Sequence, residues 1–151
     1  MSRRTSLVLT GAGVIAAGAL AAVVALPAAA DWYDHRHEQS DDYATGAEAK
    51  KDRASVPRWL ADDAASVRYA MKTTGGERLL KADLPGGRLP AACEPAAPAG
   101  AKAPQITAAW FPKGAESKAA ARCGLYYAYM DGTTLYAWQH NDDWIKDGAR
   151  T

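Results

Sequence analysis

With 151 residues, 18 basic and 17 acidic side chains and two cysteines, the chain has room for one modest domain behind a leader. Its net charge of +1 lacks the gathered basic excess of a nucleic-acid binder, so nucleic acid is excluded as an expected partner. No C-x-x-C spacing occurs, which excludes the usual redox dithiol.

The chain opens on an uncharged run from Leu7 to Ala30, 24 residues rich in Leu, Val, Ala and Gly, preceded by Arg3 and Arg4. As helix it would span about 36 Å, enough for a hydrocarbon core of about 30 Å. Gly11-Ala12-Gly13-Val14-Ile15-Ala16 within it satisfies the glycine pattern of a dinucleotide-binding turn. That pattern needs a following amphipathic helix, and Val14 to Val24 carries no polar side chain. No nucleotide cofactor is therefore expected, nor any other cofactor. Residues 1–30 read as a signal peptide or transmembrane anchor, with the membrane engaged through 7–30 and the arginines inside.

Ser2-Arg3-Arg4-Thr5-Ser6-Leu7 resembles a twin-arginine export signal, although Ser6 stands where such signals usually have Phe. Ala28-Ala29-Ala30 offers a small-residue cleavage site. The length of the apolar run and the interfacial pair Trp32-Tyr33 favour a retained single-pass anchor over a cleaved signal. Both versions place the rest of the chain outside the cytoplasm. Beyond Asp31 the 16 remaining basic residues face 17 acidic ones.

Residues 31–55 are polar, mixed in charge and without apolar period, which predicts a spacer. His35-Arg36-His37-Glu38 lies there among Asp31, Asp34, Asp41 and Asp42. The spacing misses H-e-x-x-H by one residue, and a mobile spacer holds ligands badly, so no metal site is expected. The folded domain is expected over 56–146, with 147–151 as a tail.

Val67 to Leu84 folds into a hairpin about Gly75-Gly76, pairing Tyr69 with Ala82 and Arg68 with Asp83; the rival is a helix from Asp63 to Thr73. Pro85 to Pro104 holds five of the eight prolines and predicts irregular chain. Ile106 to Trp110 is a candidate strand, and Ala115 to Ala121 two turns of helix. Leu125 to His140 carries the strongest local signal: Asp131-Gly132 between β-favouring runs predicts a type I′ hairpin with Tyr127 opposite Tyr136. Neither face of that hairpin is polar, so the pair should be central in a sheet. Cys93 and Cys123, both in an oxidising compartment, predict a disulfide worth about 3–4 kcal/mol in the chain-entropy model.

The expected fold is therefore α+β: one small domain with an antiparallel sheet of four to five strands, two β-hairpins, one or two short helices and one disulfide behind the apolar leader. Tyr127, Tyr129, Tyr136, Trp138 and Trp110 are the candidate binding residues, either an aromatic platform for a protein or envelope glycan or the ordinary substance of a small core. No catalytic residue is assigned. The alternative is a small envelope hydrolase drawing paired carboxylates from Asp83, Glu94, Asp142 and Asp143.

Overall fold

The computed structural model describes Ala29, Trp32 and residues 35–150. The leader expected over 1–30 lies outside the described residues save for Ala29. Among the described residues no helix is long and apolar enough to cross a membrane. The chain divides into a unit ending at His37 and a unit starting at Glu38. The second unit is α+β with one antiparallel sheet of seven strands. In chain order these are β1 (Glu38–Thr45), β2 (Ala65–Lys72), β3 (Arg78–Asp83), β4 (Cys93–Pro95), β5 (Ala121–Cys123), β6 (Tyr126–Asp131) and β7 (Thr134–Gln139). Helix α1 (Gly46–Asp52) follows β1 and α2 (Asn141–Gly148) follows β7. The sheet order is β1-β2-β3-β7-β6-β5-β4.

The strand count exceeds the four to five expected, and the surplus comes from two segments. The stretch read as a spacer supplies β1 and α1, so the domain's unit begins at Glu38 and not at 56. Its alternation carries no apolar signal because the inward positions are Asp41, Tyr43 and Thr45, none aliphatic. Arg53 satisfies the inward acid at 2.6 Å from Asp41 Oδ2 and also reaches Gln39, and an inward charge is how sheet edges discourage further pairing. Thr45 caps α1 by accepting the Glu48 amide. The proline-rich stretch supplies the three-residue β4, held beside β5 with Cys93 directly opposite Cys123. The expected disulfide joins that pair.

Both hairpins form, each with its register moved by two residues. In β6–β7, Tyr129 faces Tyr136 and Tyr127 faces Trp138. The turn centres on Gly132-Thr133, with Gly132 at φ +61°. One left-handed residue, and that a glycine in first place, is the demand of type II′, whereas type I′ would force Thr133 left-handed as well. In β2–β3, Tyr69 faces Leu80, because the Lys72 amide reaches the Glu77 carbonyl and closes a four-residue loop. Asn141 Oδ1 accepts from the Gly76 amide and Gln139 Nε2 donates to its carbonyl, so the loop is set by the chain after β7. A bulge near Ser66, at φ +50°, ends the regular pairing of β2.

A shift of two keeps every side chain on its expected face. One face buries Val67, Tyr69, Leu80, Ala128, Leu135 and Ala137 beneath α1 and the segment carrying Val56 and Leu60. The opposite face buries Leu79, Tyr127, Tyr129 and Trp138 beneath the irregular strap 101–119, which contributes Ile106, Phe111, Ala115 and Ala119. Two expectations fail in the strap: Ile106 to Trp110 is not a strand, and Ala115 to Ala121 yields only a 3-10 turn at Ala115–Lys118 before β5. Pro104 and Pro112 bracket the first of these, and neither can donate to a ladder. The expected tail is also shorter, since α2 runs to Gly148.

Candidate functional site

Because the strands are in register, one row of residues crosses the whole sheet: Ser40, Ala70, Leu79, Trp138, Tyr127, Arg122 and Glu94. It begins polar at β1, is apolar and aromatic through the middle, and ends as a phenol, a guanidinium and a carboxylate at the β4 edge. Four of the candidate aromatic residues sit on this row and its neighbour, and the fifth, Trp110, lies in the strap. Trp138 is fully buried, with Tyr127 7% and Tyr129 4% exposed; Tyr136 and Trp110 are half-buried.

The rings form a continuous array. Tyr127 stacks on Trp138 with centroids 5.6 Å apart, and Tyr129 on Tyr136 at 5.3 Å. Phe111 from the strap meets Tyr136 and Trp138 edge-on and touches Trp110 at 5.9 Å. Trp138 Nε1 donates to the Lys102 carbonyl at 2.8 Å, which pins one end of the strap. The Tyr129 hydroxyl is buried without a hydrogen-bond partner; burial, with the charges of Tyr136 and Asp131, pushes its pKa up to about 12. The strap itself encloses a cleft of about 360 Å³ with Pro104, Ile106, Phe111 and Pro112 in its walls and Lys113 and Glu116 among its lining.

At the other end of the row Asp143, on α2, collects the charges. Lys102 Nζ lies 2.6 Å from its Oδ1, the Tyr127 hydroxyl donates to Oδ2 at 2.9 Å, and Arg122 Nη1 stands at 3.4 Å. Burial raises the Asp143 pKa, but hydrogen bonds from Lys102 and Tyr127 and the charges of Lys102 and Arg122 outweigh it and hold the carboxyl below its ordinary value. The Tyr127 hydroxyl moves up, through burial and then through its bond to Asp143. The amino terminus of α2 is closed by His140, which accepts from the Asp142 amide, and by Gln105, which accepts from that of Asn141. His140 to Asp143 thus begin a helix directly after β7.

Of the four carboxylates considered for hydrolysis, Asp142 and Asp143 share the Lys102 ammonium, at 3.8 and 2.6 Å, and Asp83 stands apart from them. Asp83 accepts from Thr134 at the hairpin-turn end of β7, and Asp143 follows His140, about 20 Å further along at the rise of a strand. Asp143 is shifted the wrong way for a general acid, which needs a raised pKa. Glu94 and Asp142 are exposed. His37 accepts from Arg36 Nε at 3.0 Å, and among the described residues no group of three or more His, Cys, Asp or Glu is gathered to hold a metal ion. Arg122 and Lys102 were not singled out by sequence. The visible signal was a lone arginine between Ala121 and Cys123, which the fold makes the middle residue of the three-residue β5.

The class this geometry defines is a small α+β domain built on a single seven-stranded antiparallel sheet, covered on both faces and closed at one edge by a disulfide. No protein-family model matches the chain, and no curated protein or solved structure matches it significantly.

Proposed function

We propose that this chain is a non-catalytic extracytoplasmic binding domain, held at a membrane through residues 7–30, whose aromatic array meets a protein or an envelope glycan at its rim. The deeply buried rings Tyr127, Tyr129 and Trp138 brace the sheet, and the contact falls to Trp110 and Tyr136. One observation carries the reading: these two half-buried rings are joined through Phe111 to the wall of the strap's cleft. Lys81 lies 5.7 Å from the Tyr136 ring centroid and adds a cation beside the same rim. Ring faces flanked by a cation suit sugar rings and peptide side chains alike.

The test is co-sedimentation of the full chain with purified cell-wall glycan, compared with its Trp110→Ala/Tyr136→Ala double variant. Retention that falls about tenfold in the double variant, or ~1.4 kcal/mol, supports the rim as a glycan surface. Retention that is equal in the two assigns contact elsewhere and ends this reading of the rim. No retention of the wild type removes glycan as the partner.

A further inference from the structure

We propose that the shallow dish beside Arg122 is a carboxylate-binding site for a ligand bearing a methyl-sized substituent, whether a chain terminus or a small free acid. It is separate from the Trp110–Tyr136 rim and does not depend on it. The dish has a volume of about 450 Å³ and is lined by Ala96, Ala97, Gly100, Ala119, Tyr127 and Arg122. Arg122 is its one charged wall.

The guanidinium is held in a fixed plane and left under-used. Its carbon lies 3.9 Å from the Tyr127 ring centroid, which orients the planar fork. Asp143 spends its short bonds on Lys102 and Tyr127 and meets Arg122 only at 3.4 Å. Among the described residues, Nε and Nη2 of Arg122 have no hydrogen-bond partner. Glu94, directly across the β4–β5 pair, makes no ion pair with Arg122 among the described residues. A guanidinium whose side chain is 29% exposed, with donors unspent, on a residue that lines the dish, is a preorganised receptor for a planar anion.

Charge and wall size narrow the class. Asp143 stands 3.4 Å from the guanidinium and Glu94 is across from it in register, so a dianion meets repulsion that a single carboxylate does not. Alanine and glycine walls leave room for a methyl group and apolar contact, with no further charge to recognise. Neutral amides of the same shape lack the negative charge that the fork pairs with.

The experiment follows the Arg122 Nε–Hε resonance of the full chain in detergent micelles during titration with N-acetyl-alanine, acetate, N-acetyl-alanine amide and inorganic phosphate. The expected result is a saturable shift with N-acetyl-alanine at roughly millimolar affinity, and none with the amide. Tighter binding of N-acetyl-alanine than of acetate assigns the ligand to a chain terminus; equal binding assigns it to a free acid, and both support the site. Arg122→Lys, which keeps the charge and loses the fork, should weaken N-acetyl-alanine binding about tenfold by ligand-observed NMR, and Glu94→Gln should strengthen it. No saturable shift, an equal response to the amide, tighter binding of phosphate, or full affinity in Arg122→Lys overturns the proposal.

Discussion

The hydroxyl of Tyr127 donates to Asp143 Oδ2 at 2.9 Å, and through that bond α2 is fastened to the middle of the sheet. The same carboxylate binds Lys102, whose carbonyl accepts from Trp138. Helix, strap and sheet therefore meet at one side chain. Asp143→Ala should destabilise the domain by about 1–3 kcal/mol, the usual cost of stranding a half-buried hydrogen-bonding partner. Asp142→Ala is the control, since Asp142 is 58% exposed and 3.8 Å from Lys102, and it should stay within about 0.5 kcal/mol. Urea denaturation of the two variants separates them.

The same residue predicts an acid dependence. Asp143 has a folded pKa below its ordinary 3.8, so the folded state binds this proton less readily than the unfolded chain. Its contribution is complete above about pH 5 and is lost as pH falls through the ordinary carboxylate value toward the folded one. The gap in Tm between wild type and Asp143→Asn should be widest near neutrality and narrow below about pH 4. A gap that does not change with pH would detach Asp143 from the acid response.

The disulfide closes a chain separation of 30 residues and pins the proline-rich stretch to the edge of the sheet. Reduction, or Cys93→Ser with Cys123→Ser, should lower stability by about 3–4 kcal/mol. Denaturation with and without a reductant measures it, and the β4–β5 pair should lose amide protection before β3 and β7.

How much of this was legible follows from which side chains carry the pattern. The hairpins could be read because Tyr, Val, Leu and Met alternate around glycine turns. Their faces could be read correctly even with the register off by two, because side-chain direction repeats with that period. The register itself could not, since Gln139 and Asn141 set the β2–β3 loop from about sixty residues away. β1 stayed hidden because its inward positions are polar and are satisfied by Arg53. The aromatic candidates were legible as a group, but their exposure was not: the cover comes from an irregular strap with no periodic signal. Arg122 was invisible as a site residue because its meaning lies in Tyr127 and Asp143, which the fold brings to it.

That division between bracing rings and rim rings is itself testable. Trp138 is fully buried and touches Phe111, Tyr127 and Tyr129, so Trp138→Ala should cost about 3–5 kcal/mol. Trp110→Ala, at a half-buried position, should cost about 1 kcal/mol or less and leave the sheet's amide protection unchanged. Comparable losses at both positions would place Trp110 in the core and withdraw it as a contact residue.

Gly76 offers the sharpest steric test, because α2 lies against its backbone. A Cβ added there would fall 2.4 Å from Trp144 Cβ and 2.5 Å from Cγ, atoms near the root of the side chain that cannot swing aside. The helix must therefore retreat, which strains the Gly76 amide bond to Asn141 and the carbonyl bond from Gln139. Gly76→Ala should cost about 1–3 kcal/mol and shift the fluorescence of Trp144, read against a Trp144→Phe background. Gly86→Ala, with nothing within 4 Å of the added carbon, should be neutral or slightly stabilising through the unfolded chain. If Gly76→Ala were equally neutral, α2 would be free of the β2–β3 loop, and the two-residue register shift would need another cause.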